Sequence, residues 1–98
     1  MKDEQGLLFA LGLAQKAGKL ASGDFAVKSA LKGAKAKLLI VAADAAVNSK
    51  KDMYYLADIS KVKVIECLTR EQLGTAIGKA QRTAVAVTDN NFANMILK

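Results

Sequence analysis

Apolar positions along the chain switch repeatedly between the spacing of a helix and that of a strand. Between Asp3 and Ala17, Leu7, Leu11 and Ala14 recur at i, i+4 and i+7 before Gly18, which predicts a first helix ended by glycine. Lys19 to Ser22 is a short extended candidate. Gly23-Asp24 then turns the chain into a second helix, whose buried stripe is Val27, Ala30 and Leu31 and whose end is Gly33. The unbroken apolar run Leu38-Leu-Ile-Val-Ala-Ala43 predicts a central strand covered on both faces. Asn48 or Ser49 is placed to cap a third helix with core positions Met53, Leu56 and Ala57. Val62 to Leu68 reads as a third strand. Thr69-Arg-Glu-Gln72 has capping-box spacing, and the helix it starts buries Leu73, Ala76 and Ile77. Ala84-Val-Ala-Val87 is the last strand, and Asp89 or Asn90 opens a final helix carrying Phe92, Met95 and Ile96. Four strands with helices on both faces make an α/β fold, a three-layer α/β/α sandwich.

Length and composition narrow the setting. The 98 residues suit one domain spanning 1–98, and 52% hydrophobic residues can fill its core. With aromatics at 5% and no Trp, aliphatic side chains must do most of the packing. Leu38 to Ala43 is far shorter than the roughly 20 apolar residues of a membrane span, so no membrane partner is expected. The polar start, Met1-Lys-Asp-Glu-Gln5, does not open like a secretory signal. Cys67 is the only cysteine, which rules out an intramolecular disulfide and favours a reducing, cytoplasmic setting.

The charge is uneven. Fifteen Lys plus Arg against nine Asp plus Glu gives +6. The window from Lys16 to Lys51 holds eight lysines against Asp24 and Asp44, which already accounts for the +6. A local positive field attracts polyanions, nucleic acids among them, although a lysine-rich solvated surface has the same composition.

Candidate catalytic chemistry fares poorly. With no His, there is no Ser-His or Cys-His nucleophile system, and one Cys offers no metal-ligand spacing. Cys67 has apolar neighbours and reads as packing rather than as a reactive thiol. Gly12 to Leu20 is not a phosphate loop, because five residues separate its glycines and Leu20 stands where Ser or Thr is required. Asp44 and Asp89 both follow strands, where paired carboxylates could hold a metal; the ordinary role there is capping a turn or helix. No catalytic residue, metal or cofactor is expected.

The basic elements stand up better. Lys28, Lys32 and Lys35 recur at i, i+4 and i+7 on or near the second helix, opposite its apolar stripe. Gly23 at the start of that helix lets a phosphate approach free backbone N–H groups, with Lys19 just before the turn. A second basic element, Lys79-Ala-Gln-Arg82, falls in the loop after Gly78.

These places also carry a family likeness. Gly18-Lys-Leu-Ala-Ser-Gly23, followed by a helix with Val27, Ala30 and Gly33, resembles the strand–turn–helix of the kink-turn-binding ribosomal protein family. Leu73-Gly-Thr-Ala-Ile-Gly78 resembles its helix-to-loop motif. The bacterial YlxQ-like branch is more similar still, through Ala17-Gly-Lys, Gly33-Ala-Lys-Ala-Lys-Leu, Ala43-Asp44, Asn48-Ser-Lys-Lys51, Gly78-Lys79 and Ala84-Val-Ala-Val. The likeness runs from about Leu7 to Ile96. It implies a mixed four-stranded sheet, and RNA binding by the turn before the second helix and the loop after the fourth. Family members use a glycine, an Asn-Glu pair and a Lys at the first element to read sheared G·A pairs in a kinked duplex. Here the glycine is Gly23, but Phe25 and Ala26 replace Asn-Glu and Ser29 replaces the Lys. Phe25 and Ala26 cannot hydrogen-bond a guanine edge. Phe25 either stacks on an unpaired base or packs over the sheet edge.

The expectation is therefore non-enzymatic binding of structured RNA, ribosomal or other non-coding, with ribosomal proteins as further partners. The expected contacts are Lys19, Gly23, Asp24, Phe25, Lys28 and Lys32 around the second helix, and Lys79, Gln81 and Arg82 in the later loop. The competing expectation is a protein-interaction module that docks on an acidic partner or a ribonucleoprotein through the same lysines.

Overall fold

A computed structural model describes residues 3–98; Met1 and Lys2, the first part of the polar start, lie outside the described residues. The chain runs α1 (Glu4–Lys16), β1 (Leu20–Ser22), α2 (Asp24–Lys32), β2 (Leu38–Val41), α3 (Val47–Ser60), β3 (Val64–Glu66), α4 (Arg70–Ala76), β4 (Ala84–Val87) and α5 (Asn90–Leu97). The strands form one mixed sheet in the order β1-β4-β2-β3, with β4 antiparallel to both neighbours and β2 parallel to β3. One face carries α2 packed on α3, and the other carries α1 packed on α4 and α5. This is the three-layer α/β/α sandwich that the apolar pattern predicts.

Each layer follows from local sequence. All four residues of β2 and all four of β4 are buried, because helices cover both faces of the sheet centre. Each buried Leu, Ile or Val there contributes roughly 1.5–3 kcal/mol relative to exposure. Leu7, Ala10, Leu11 and Ala14 of α1 and Val27, Ala30 and Leu31 of α2 close the core from opposite sides. Thr69 and Gln72 complete the capping box, with Gln72 N–H donating to Thr69 Oγ1 at 3.0 Å and Thr69 N–H to Gln72 Oε1 at 2.9 Å.

Five sequence expectations need correction, the first being that β2 ends at Val41, two residues short of the apolar run, with Ala43 exposed. Neither Asn48 nor Ser49 caps α3. The backbone turns at Ala46 (φ −61°, ψ 147°), which places both residues inside the first helical turn. The third strand is only Val64–Glu66, not Val62 to Leu68. Val62 N–H still closes the end of α3 on Ala57 O (2.9 Å), and Leu68 (φ 63°) already turns toward α4. Leu56 and Ala76 are half-buried rather than core. Met95 is exposed, because the buried line of α5 is Ala93 and Ile96 and Met95 lies one residue off it.

Candidate nucleic-acid interface

Strand register decides which loops meet. Ser22 of β1 lies opposite Val85 of β4, so Gly23 comes beside the chain entering β4. Val41 of β2 lies opposite Ala84 of β4 and opposite Glu66 of β3. The C-terminal ends of β1, β2 and β3 thus share one end of the sheet with the start of β4. Open α/β sheets commonly present ligand sites at this end. Backbone bonds tie the loops together there: Ala42 N–H to Thr83 O and Ala43 N–H to Leu68 O, both 2.8 Å, and Arg82 N–H to Arg70 O at 3.1 Å.

The turn into α2 is built for close approach. Gly23 has φ 88° and ψ 151°, a conformation that a side chain would strain, and no side chain caps the helix it precedes. First-turn N–H groups of α2 are left for an external acceptor. Phe25 is 85% exposed, so it does not pack over the sheet edge. Asp24 is exposed and pairs with Lys28, Nζ to Oδ2 at 3.2 Å. Phe25, Lys28, Ser29 and Lys32 line an open groove along α2. Lys28 and Lys32 also border a second hollow, shared with Asp52 and Tyr55 of α3.

The second element folds back along α4. A Cβ at Gly74 would lie 2.0 Å from the Ala80 carbonyl oxygen, so only glycine lets the loop approach the helix this closely. Lys79 N–H donates to Gly74 O at 2.8 Å. Arg82 bends onto its own loop, donating from Nη1 to Gln81 O (3.0 Å) and Ala80 O (3.3 Å), while its buried Nε has no partner. Lys79 and Gln81 stay exposed. These bonds tie the loop to α4 and to itself.

The structure brings Gly23, Asp24 and Phe25 to the same end as Lys79, Gln81 and Arg82. It does not bring Lys19 there. Lys19 precedes β1 and accepts from Thr88 N–H at 2.9 Å, so it lies at the opposite end, roughly 13 Å from Gly23 at strand rise. Lys32, the last residue of α2, also lies toward that far end, and Lys28 stands between.

Asp44 and Asp89 act on helix starts. Asp44 Oδ1 accepts from Arg70 N–H at 2.8 Å and faces Arg70 Nε at 3.6 Å, and Asp89 Oδ2 accepts from Phe92 N–H at 3.1 Å. The Asp44–Arg70 link and the role of Gly74 escaped sequence reasoning. The first joins residues 26 apart with no local signal. For Gly74, the hint was a glycine inside a helical pattern. Cys67 follows β3 half-buried, and burial first, then the Glu4 carboxylate, pushes its thiol pKa up, which keeps it neutral. Desolvation, with a hydrogen bond to Glu66 at 3.1 Å, likewise raises the Tyr54 phenol. Among the described residues, no helix is long and apolar enough to cross a membrane.

Comparison with known proteins identifies the family. The model of the Ribosomal protein L7Ae/L30e/S12e/Gadd45 family matches residues 6–97. The chain belongs to this family. It is 39% identical over 87 residues to the RNA-binding protein YlxQ of Bacillus subtilis, covering 89% of this chain and 87% of that one. It is 35% identical over 86 residues to the large ribosomal subunit protein eL30 of Saccharomyces cerevisiae, covering 87% and 82%. Among solved structures, a Bacillus halodurans protein of unknown function superposes with a TM-score of 0.88 at 31% identity, over 97% of this chain and 100% of that one. A Giardia lamblia 15.5kD RNA binding protein shares the fold, with a TM-score of 0.79 at 16% identity over 99% and 85% of the two chains.

Proposed function

We propose that the chain binds structured RNA, ribosomal or ribosome-associated, as one domain over residues 1–98 and without catalysing a reaction. The observation that carries this reading is the β1–β4 register, which sets the Gly23 turn beside the Lys79–Arg82 loop at one end of the sheet. Family membership and the similarity to an RNA-binding protein and a ribosomal protein support it.

In this reading, Gly23 and the first-turn N–H groups of α2 receive the RNA backbone, and Asp24 holds Lys28 beside them. Lys79, Gln81 and Arg82 contact the backbone from the second loop. Phe25 stacks on an unpaired base where other members of the family place an amide. Recognition then rests on backbone and shape more than on guanine edges, because Phe25, Ala26 and Ser29 lack the groups that read sheared pairs. A kink-turn is one RNA shape that suits this site. The working compartment is the cytoplasm, with ribosomal proteins as neighbours.

A gel shift with a structured RNA hairpin and the purified protein alone tests the proposal. A retarded complex is expected without any second protein. A shift seen only after adding another protein would favour a protein-docking module and overturn direct RNA binding.

A further inference from the structure

The positive charge of this chain is not concentrated where the two family elements meet. The described residues form three ion pairs, and all three use carboxylates at that end: Asp24 with Lys28, Glu66 with Lys50, and Asp44 with Arg70. The opposite end is different. There α1 finishes at Lys16 with Lys19 following, α2 finishes at Lys32 ahead of Lys35 and Lys37, and α3 leads through Lys61 to Lys63. Every one of these lysines is exposed, and none is paired with a carboxylate among the described residues. The acids at this end are Asp58, at the close of α3, and Asp89, whose carboxylate is engaged as the cap of α5.

Sheet geometry brings three of these lysines to the strand starts: Lys19 and Lys37 lie at one level, both opposite Thr88, and Lys63 lies level with Leu38, one residue further in and toward the other face. Thr88 N–H donates to Lys19 O, Lys37 N–H to Val87 O, and Leu39 N–H to Lys63 O, so Lys19, Lys37 and Lys63 mark the starts of β1, β2 and β3. At about 4.8 Å per strand, the three strand starts span three spacings, roughly 14 Å. Helix C-termini also point here, and their partial negative charge favours nearby cations. That effect fades beyond the last turn, and only Lys16 and Lys32 occupy last turns. It leaves the lysines at the strand starts unexplained. Unpaired lysines this close repel one another, and a polyanion relieves that repulsion while its counterions are released.

We infer that this end is a second polyanion-binding surface, whose ligand is the phosphate backbone of another RNA segment. The domain would then hold two RNA segments at opposite ends of its sheet. The inference rests on the RNA-binding reading above, yet it uses different residues and fails separately.

The test measures binding of two probes, a plain RNA duplex and a kink-containing RNA hairpin, by wild type and two variants. The first variant is Lys19→Gln with Lys37→Gln and Lys63→Gln; these side chains are exposed and unpaired, so thermal denaturation should match wild type. It is expected to lose about tenfold or more in duplex affinity at low salt, with the log–log salt slope smaller by about three. Its hairpin affinity should stay within about twofold, since base-contacting groups carry part of that binding. The second variant, Phe25→Ala with Lys79→Ala, should show the reverse. Unchanged duplex binding by the triple variant would overturn the inference and leave those lysines to an acidic protein. Equal losses of both probes would overturn it too, since one site would then serve both. Failure of the hairpin to respond to Phe25→Ala with Lys79→Ala would instead count against the functional site, independently of the duplex result.

Discussion

Phe25 stands in the first turn of α2 with its ring 85% exposed, at a position where a merely structural aromatic would be covered. Removing it should therefore leave the fold alone. Phe25→Ala is expected to change stability by less than about 0.5 kcal/mol. If the ring stacks on a base, the same change weakens hairpin binding by about 1–3 kcal/mol, and titration calorimetry with parallel thermal melts separates the two effects. Gly74 behaves oppositely. Its missing Cβ is space taken by the Ala80 carbonyl, so Gly74→Ala should destabilise by about 1–3 kcal/mol and disturb the loop. A melting temperature equal to wild type would show that the loop moves aside freely. Cys67 is an acid whose folded pKa is raised, so the stability tied to its neutral thiol is intact below the unfolded value and is lost as pH climbs through the folded one. Melting temperature should fall as pH rises above about 8.5, the ordinary thiol value, and fall less steeply in Cys67→Ala.

At the scale of elements, α4 depends on contacts from outside itself. It has seven residues, too few to hold as an isolated helix. Its N-terminus is held by Thr69 locally and by Asp44 from the β2 exit loop, and its far side is covered by the returning Lys79–Arg82 segment. Thr69→Ala should cost about 1 kcal/mol in urea unfolding, the usual worth of such a cap. An unchanged midpoint would mean that Asp44 alone anchors this end. How far each element was legible in the sequence follows from the same distinction. The capping box, the glycine-ended α1 and the fully buried β4 are local patterns, and they read correctly, as does the buried centre of β2, although its apolar run continues to the exposed Ala43. β3 was read too long because an apolar run does not reveal that its flanks, Val62 and Leu68, are claimed by a helix end and a turn. Met95 was misplaced because a short helix leaves the phase of its stripe open by one residue. In the candidate site, the turn at Gly23 was legible from its sequence, whereas the exposure of Phe25, which the family pattern left open between stacking and packing over the sheet edge, was not. Lys19 was grouped with Gly23 because they are neighbours in sequence, although a strand carries them to opposite ends of the sheet.

Over the whole molecule, charge and recognition separate along the strands. One end combines an open helix start, an exposed ring and a pinned basic loop, with three of its carboxylates each paired to a cation. The other end carries exposed lysines and little to balance them. Total RNA affinity should therefore be strongly salt dependent, while discrimination between RNA shapes should survive salt better, because in the proposed reading shape is read at the end where charge is paired. The central claim is that structured RNA docks on the Gly23 turn and the Lys79–Arg82 loop together. Amide chemical-shift mapping by NMR during titration with a kink-containing RNA hairpin tests it most directly. The amides of Gly23, Asp24 and Phe25 and those of Lys79, Gln81 and Arg82 should shift together and saturate at the same RNA concentration. A hairpin that binds while these amides stay in place, or that binds nowhere, would contradict the account.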